Sequence, residues 1–380
     1  MPARFPSTEA LPTAAQLLGS QASKLRCLKC GSPVTLVFLA ARPGYPELGP
    51  DGVLGCSHCG ERYPVVAGTP RMVVAEHRRR LADTYSRSRE VLDVGGRPSA
   101  SETPDPELVV KQSTADSFAY EWHQFGGLRE EWAKNFADYM RPHLPESLTG
   151  KQVLDVGAGS GRHSFHAAKA GAQVVAVDLG ASIDVARRNL PATVLTVQAD
   201  AEALPFEPGS FDLVMSIGVL HHLPDPDRAL CTVARFARDG AHVHVYLYWV
   251  PARSWHRGLL AAVRAARRIT IRLPHPVLHA ACYPLAVVLQ AIFVGPYRAL
   301  RRRPRGRRFA AALPLKTYAD YPFSVLVNDQ FDRFSAPLER RYTNDEVREA
   351  MLLAGLEEIV VLPNHGWVAD GRRPVTGPTA

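Results

Sequence analysis

The sequence predicts an α/β protein: a mostly parallel, doubly wound, Rossmann-like sheet of seven strands, with a small β module in front and a helical insertion. Three observations carry this. Strand-like apolar runs alternate with helical patterns from Gln152 to Tyr248, and two further strands follow near the C terminus. The first run ends in a turn with alternate glycines, Gly157, Gly159 and Gly161. Ahead of it stand two C-x-x-C pairs, Cys27/Cys30 and Cys56/Cys59.

Composition fits such a protein. With 380 residues, 46% hydrophobic and 22% charged, the chain can bury a core and carry more than one module. Its net charge of +8 is concentrated: Gly240 to Ala319 holds thirteen Arg and Lys316 with no Asp or Glu, a local +14 that leaves −6 elsewhere. A surface coated for nucleic acid is therefore not expected. The first 25 residues contain no apolar run of signal-peptide length. Paired thiols without such a signal read as metal ligands in a reducing cytoplasm, so a cytoplasmic location is expected.

In chain order, residues 1–24 are Pro-, Ala- and Ser-rich and read as a flexible arm with a short helix around Ala10–Leu18. Residues 25–75 read as a zinc ribbon. Gly31 and Gly60 follow the two cysteine pairs and permit the knuckles that turn Cys27, Cys30, Cys56 and Cys59 toward one tetrahedral structural Zn2+. Four free thiols in a small β module are the rival reading. Strands are expected at Val34–Ala40, Tyr63–Val66 and Pro70–Val74, with a Pro/Gly loop between the pairs. Residues 76–112 read as a helix and linker, and 113–380 as the main domain.

That domain reads as strand 152–156, helix 161–170, strand 173–178, helix 182–190 and strand 193–198. Strand 211–216, helix 226–237 and strand 241–248 follow, then helix 344–354 and strands 357–362 and 365–368, with a disordered tail from Gly371. Strict alternation implies right-handed crossovers and a site at the strands' C-terminal ends. Thr343 and Glu346 form a capping-box pattern ahead of the last helix.

The ligand class follows from the turn. Glycine at every second place lets the backbone take positive φ and a ligand lie directly on it. A dinucleotide fingerprint needs a glycine where this chain has Arg162, and its pyrophosphate would be repelled by Asp155. S-adenosylmethionine has no phosphate and carries a sulfonium and an α-amino group, so an acid is welcome there. Asp178, 17 residues beyond Gly161 at the end of the second strand, stands where ribose hydroxyls are held.

With these residues in view, the chain resembles the class I S-adenosylmethionine-dependent methyltransferases, nearest the bacterial small-molecule branch of ubiquinone/menaquinone-biosynthesis type. The resemblance rests on Val153–Gly161, Val177-Asp178, Gln198–Ala201, Leu204–Phe206 through Ser210–Val214, and Gly218–Asp225, in the family's order. The front module resembles the zinc ribbons that precede many bacterial methyltransferases, through Cys59-Gly60 and Tyr63–Pro70. The resemblance implies donor contacts from Asp155, Gly157, Ala158, Gly159, Gly161, Asp178, Leu179, Asp200, Ala201 and Ser216. It adds Tyr120 and Trp122 on an N-terminal helix that closes over the donor. Asp200 and Ala201 would meet the adenine, with a helix cap as the rival role for Asp200. Plain core packing is the rival for Tyr120 and Trp122.

After the fourth strand, Ser216–Val219 stands where enzymes acting on exocyclic amines carry an Asn/Asp/Ser-Pro-Pro-aromatic set, which counts against adenine N6 chemistry. His221 and His222 follow. His221 is the candidate general base for an acceptor that carries a proton; the rival has one histidine capping the next turn through Asp225 and the other packed.

Residues 250–312 form a basic insertion: an amphipathic helix at Trp255–Ile271, an apolar run at Val277–Val294 and an arginine cluster at Arg298–Arg308. The expected role is a lid for a hydrophobic or anionic substrate, and the second reading is peripheral membrane contact through 255–308. A membrane-spanning helix ranks below both, because His279, Pro284 and Gln290 interrupt the run. Asp329–Pro337 resembles the family's substrate-side loop. The expected function is methyl transfer to a small-molecule acceptor. The alternative is an RNA methyltransferase whose ribbon and arginines grip phosphate, weakened by the few aromatics among the arginines.

Overall fold

The computed structural model describes residues 21–40, 50–74, 77–78, 81, 85, 105–252, 254–303, 306, 309–310, 313 and 315–375. The expected helix around Ala10–Leu18 and most of the 76–104 segment lie outside them.

Two sheets organise the described residues. In front, β1 (Val34–Ala40), β2 (Asp51–Cys56), β3 (Arg62–Val66) and β4 (Thr69–Pro70) form an antiparallel meander in that order. The predicted Pro/Gly loop is in part a strand, β2. Asp51–Gly55 lacks an alternating pattern because it is buried almost throughout, between β1 and β3. The expected strand at Pro70–Val74 pairs with β3 through Pro70 and the Arg71 amide, which donates to the Pro64 carbonyl at 2.8 Å, and Arg71 also bridges to Gln198 of the second sheet.

The second sheet has seven strands. Ahead of it lie α1 (Pro106–Phe125) and α2 (Trp132–Tyr139). Then come β5 (Gln152–Val156), α3 (Arg162–Lys169), β6 (Gln173–Asp178), α4 (Ser182–Asn189), β7 (Leu195–Gln198), β8 (Phe211–Ile217), α5 (Pro226–Ala234) and β9 (Ala237–Leu247). The insertion contributes α6 (Ser254–Thr270), α7 (His275–Leu289) and α8 (Gly295–Arg301). The chain closes with α9 (Phe323–Ser335), α10 (Asn344–Leu353), β10 (Glu357–Pro363) and β11 (Trp367–Arg372). Sheet order is β10-β11-β9-β8-β5-β6-β7; β5 to β9 pair in parallel, and β11 joins antiparallel to both β9 and β10. This is the Rossmann-like fold that the alternation predicts. The strand order reverses between β5 and β8, which puts the crevice at the glycine turn after β5.

β5 to β8 are buried on nearly every residue, as parallel strands covered by helices on both faces must be. Several boundaries differ from the sequence reading. α5 ends at Ala234 rather than 237, because Ala237 already pairs with Phe211 of β8. The substrate-side segment beginning at Asp329 is helical to Ser335, not a loop. The tail is not loose from Gly371: Gly371 and Arg372 pair with Val243 and His242 of β9, so the final strand lies inside the sheet.

The insertion is more regular than expected. α7 passes through a π turn (Gln290–Val294) directly into α8, one continuous helix despite Pro284. Pro284 is solvent-exposed, so the carbonyl that loses its partner faces out of the protein. Leu278, Cys282, Ala286 and Val294 pack with Leu326, Val327 and Phe331 of α9 and with Tyr120 and Phe125 of α1, so the insertion sits over α1.

Candidate active site at the carboxyl ends of the strands

The glycine turn is pinned from two sides. The amides of Gly157 and Ala158 both donate to the Val177 carbonyl at 2.8 Å, and the Gly159 amide donates to Asp178 Oδ2 at 2.9 Å. All three glycines have positive φ, +81°, +54° and +80°. A Cβ on Gly157 would collide with Val219, and one on Gly159 would stand 2.7 Å from Trp122 Nε1, so only bare backbone fits here.

The two acids differ. Asp155 is buried beneath the turn and accepts from Ser164 Oγ at 2.6 Å; burial pushes its carboxyl up to about 7. Asp178 uses Oδ1 for Gly180 N (2.9 Å) and Ser182 Oγ (2.6 Å), which holds it facing the turn; burial raises its pKa too. Leu179 lends its carbonyl to Gln198 Nε2 at 2.8 Å. Asp200 accepts from Glu202 N at 2.9 Å within a turn, not at the head of a helix as its rival role expected. Its other oxygen accepts from Lys111 Nζ of α1 at 3.0 Å, and Lys111 also pairs with Glu202. Ala201 is buried beside it. Ser216 spends its hydroxyl on the Val156 carbonyl at 2.9 Å, between strands, and so acts in the sheet.

Helix α1 crosses this edge. Its Trp122 lies on Gly159, with Arg162 stacked between Trp122 and Trp132 at 5.3 Å from each ring. Tyr120 is not brought to the same place. Two residues along a helix is about 200°, and Tyr120 meets His275, His279 and Phe331 on the insertion side instead.

His221 sits in the short turn after β8, fully buried, its ring 4.0 Å from that of Tyr248 and 4.3 Å from that of His222. Neither of its ring nitrogens has a hydrogen-bond partner among the described residues. Burial, with help from His222 and Arg341, holds its pKa well below the ordinary imidazole value, so it is neutral. His222 is anchored through Nδ1 to the Leu338 carbonyl at 2.7 Å, while Asp225 caps α5 through Arg228 N at 3.0 Å. Neither histidine is held by Asp225.

Several polar residues around this turn carry no sequence signal. Tyr248 Oη donates to Asp332 of α9 at 3.2 Å. Glu121 of α1 is buried, accepts from Asn328 Nδ2 at 2.8 Å and leaves Oε2 without a partner. Burial and nearby Asp332 push its pKa well up, so it is a neutral acid. Glu121 and Asn328 are 207 residues apart in the chain and Tyr248 and Asp332 are 84 apart, and only the fold brings them together.

The four cysteines converge as the pair spacing requires. Cys27–Cys59, Cys30–Cys56 and Cys30–Cys59 sulfurs are each 3.5 Å apart, far beyond a disulfide bond. Four sulfurs bound tetrahedrally to one ion at about 2.3 Å stand about 3.8 Å apart, so the set fits Zn2+.

Comparison with known proteins follows this geometry. The family model described as "Methyltransferase domain" matches residues 154–245, from β5 to β9. The ubiquinone biosynthesis O-methyltransferase of Idiomarina loihiensis is 32% identical over 181 residues, 43% of this chain and 69% of that protein. Its counterpart in Bordetella bronchiseptica is 33% identical over 165 residues, 38% of this chain and 64% of that protein. The chain thus spans about half to two thirds of the length of the curated relatives it matches first. Among solved structures, the Burkholderia thailandensis 1,6-didemethyltoxoflavin-N1-methyltransferase is 17% identical with a TM-score of 0.40, covering 73% of this chain and 94% of that one.

Proposed function

We propose that this chain, which belongs to the class I S-adenosylmethionine-dependent methyltransferases, moves a methyl group to a small-molecule acceptor bound between α1, α9 and the His221 turn. One observation carries the reading: a bare glycine cradle lies between buried Asp155 and half-buried Asp178 at the strand-order reversal, where a Cβ on Gly157 or Gly159 would collide with Val219 or Trp122. The cradle fits the donor. Gly157, Ala158, Gly159 and Gly161 would carry its amino-acid end over Asp155, Asp178 its ribose, and Asp200 with Ala201 its adenine. When bound, the donor supplies an electrophilic methyl on a sulfonium sulfur.

The chain's own residues do the rest. Direct displacement depends on alignment, which Trp122 and the α1 cover enforce from above the turn. His221, neutral and with free ring nitrogens, takes the proton of a hydroxyl acceptor as its oxygen is methylated. Glu121, a neutral acid, donates a hydrogen bond from Oε2 to a polar group of the acceptor. Incubating the protein with isotope-labelled donor and cell extract, then finding the labelled product by mass spectrometry, tests the reading. Absence of any labelled small molecule, with labelled RNA instead, would overturn it.

His221→Gln should lower kcat by about 10²–10⁴ for such an acceptor while leaving donor affinity, measured by calorimetry, unchanged. Because burial keeps the His221 pKa below about 6.5, the acid limb of the wild-type rate profile should lie below that value. A variant with full kcat would remove His221 from proton transfer.

A structural Zn2+ on Cys27, Cys30, Cys56 and Cys59 belongs to the same reading, as does peripheral contact of the insertion with an anionic membrane. The helix His275–Arg301 is long and apolar enough to cross a membrane by length and composition. One of its faces is packed on α9, so lying in the membrane plane suits it better. Val277, Val287, Val288 and Ile292 are exposed on the rest, with arginines at either end. Replacing Val288 and Ile292 with Asp should remove roughly 1.5–3 kcal/mol of burial each. Flotation with phosphatidylserine vesicles should then fall at least tenfold, and equal flotation would argue for a lid alone.

A further inference from the structure

A second group of metal-type ligands lies apart from both the cysteine cluster and the active site. β9 alternates His242, Val243 and His244, so the two histidines share one face of the sheet. On the neighbouring β11, Asp370 is the direct cross-strand partner of His244. His143, on the segment after α2, comes down onto the same spot. Its Nε2 is 2.6 Å from Asp370 Oδ1, while His244 Nδ1 is 3.2 Å from that oxygen and His242 Nδ1 is 2.8 Å from Oδ2. The candidate ligand atoms of His143, His244 and Asp370 all lie within 4.8 Å of one another. His244 and Asp370 are buried.

The hydrogen bonds make this more than a cluster. His244 Nε2 lies 2.7 Å from the carbonyl of Tyr139, and a carbonyl can only accept, so the proton sits on Nε2. In a neutral ring that leaves the Nδ1 lone pair aimed at a buried carboxylate oxygen. Such a contact is repulsive unless a proton or a metal ion is shared between the two atoms. A ring whose far N–H is held by a backbone carbonyl has the orienting hydrogen bond of a metal-bound histidine. His242, on the other carboxylate oxygen, orients the acid in the same way.

We propose that His143 Nε2, His244 Nδ1 and Asp370 Oδ1 bind a divalent first-row transition ion of the zinc class, with His242 and the Tyr139 carbonyl as its outer supports. Imidazole and carboxylate together suit such an ion and not Ca2+ or Mg2+. His143 and His242 are partly exposed, so the ion can enter from solvent and keep a water as a further ligand. The ion would join the end of α2 to β9 and β11, fastening the last strand into the sheet. It lies off the donor site: His244 is level with Met215, two residues before the end of β8.

The test uses the full chain with its cysteine cluster loaded with Zn2+, titrated with Co2+. The expected result is one further equivalent bound without thiolate charge-transfer absorption, with an X-ray absorption spectrum of nitrogen and oxygen neighbours only. A higher melting temperature should accompany it. His143→Gln, at a partly exposed position that the fold tolerates, should weaken this Co2+ at least as much as the about 10–100-fold that loss of an outer support costs. Asp370→Asn should abolish it. Three results would overturn the site: no further equivalent, a further equivalent that His143→Gln binds unchanged, or a nitrogen NMR spectrum in which His244 carries both protons in the presence of Co2+ or Zn2+. The last would make the cluster an ion pair of imidazolium and carboxylate.

Discussion

Stripping the proposed Zn2+ from the Cys27, Cys30, Cys56 and Cys59 cluster, or replacing Cys56 with serine, is expected to lower the melting temperature of the whole chain and to weaken donor binding. The front module is too small to hold itself together by apolar burial alone, and in peptides of that size the metal contributes about 10–16 kcal/mol to folding. Its loss here reaches the active site because of how the module ends. After β4, Arg71 bridges to Gln198 in parallel register and the Met72 amide donates to the Gln198 carbonyl at 2.8 Å, so this segment covers the open edge of β7. Thr69 and Thr196 hydroxyls meet at 3.0 Å beside it. Arg71 is fully buried; it bonds Asp184 at 2.7 Å and Gln198 at 3.2 Å, and its guanidinium lies 4.5 Å from the Tyr85 ring.

Unfolding the module would leave Asp184 and Gln198 without that cation. Loss of this pair and of the cover on the β7 edge should therefore destabilise the main domain as well as the module. Gln198 is two residues from Asp200, so the adenine end of the site would loosen with it. Scanning calorimetry and donor titration before and after chelation check both halves. A stripped protein with unchanged melting temperature and donor affinity would mean that the module is an independent appendage.

How much of this could be read from the chain depends on the range of the interaction. The glycine turn, Asp155, Asp178 and the cysteine pairs lie within short, periodic stretches, where local geometry dictates residue type, and these were legible. Lys111, Glu121, Asn328, Asp332 and Tyr248 sit on helix and strand patterns that look ordinary until α1 and α9 fold over the sheet edge. The His242-Val243-His244 alternation was visible but silent, because its meaning depends on Asp370 opposite and on His143 from another element. Pro284 interrupts the apolar run but not the helix, because the face on which it sits is exposed.

Asp155→Asn should make the protein more stable and a poorer donor binder at once, and both effects should depend on pH. The folded state raises this carboxyl from 3.8 to about 7, chiefly by burial against the opposing bond from Ser164. A raised carboxyl pKa means that the folded state holds the proton more tightly than the unfolded chain does. Wild-type stability from this group is therefore complete below about pH 4 and declines as pH rises to about 7, by on the order of 4 kcal/mol at about 1.36 kcal/mol per unit. Asparagine keeps the shape and can still accept from Ser164, but it has no charge to bury, so at pH 8 the variant should melt higher than wild type and at pH 4 the two should converge. Donor binding should run the other way. Only the ionised acid attracts a cationic ligand, and at an effective dielectric of about 20 that attraction amounts to a few kcal/mol. Wild-type affinity should climb through about pH 7, whereas the variant should bind at least tenfold more weakly at pH 8 with little pH dependence. Opposite signs for stability and affinity in one substitution separate this account from simple damage to the turn: a variant that melted lower at pH 8, or a wild type whose donor affinity ignored pH, would show that Asp155 is a packing residue and not the charge beneath the donor.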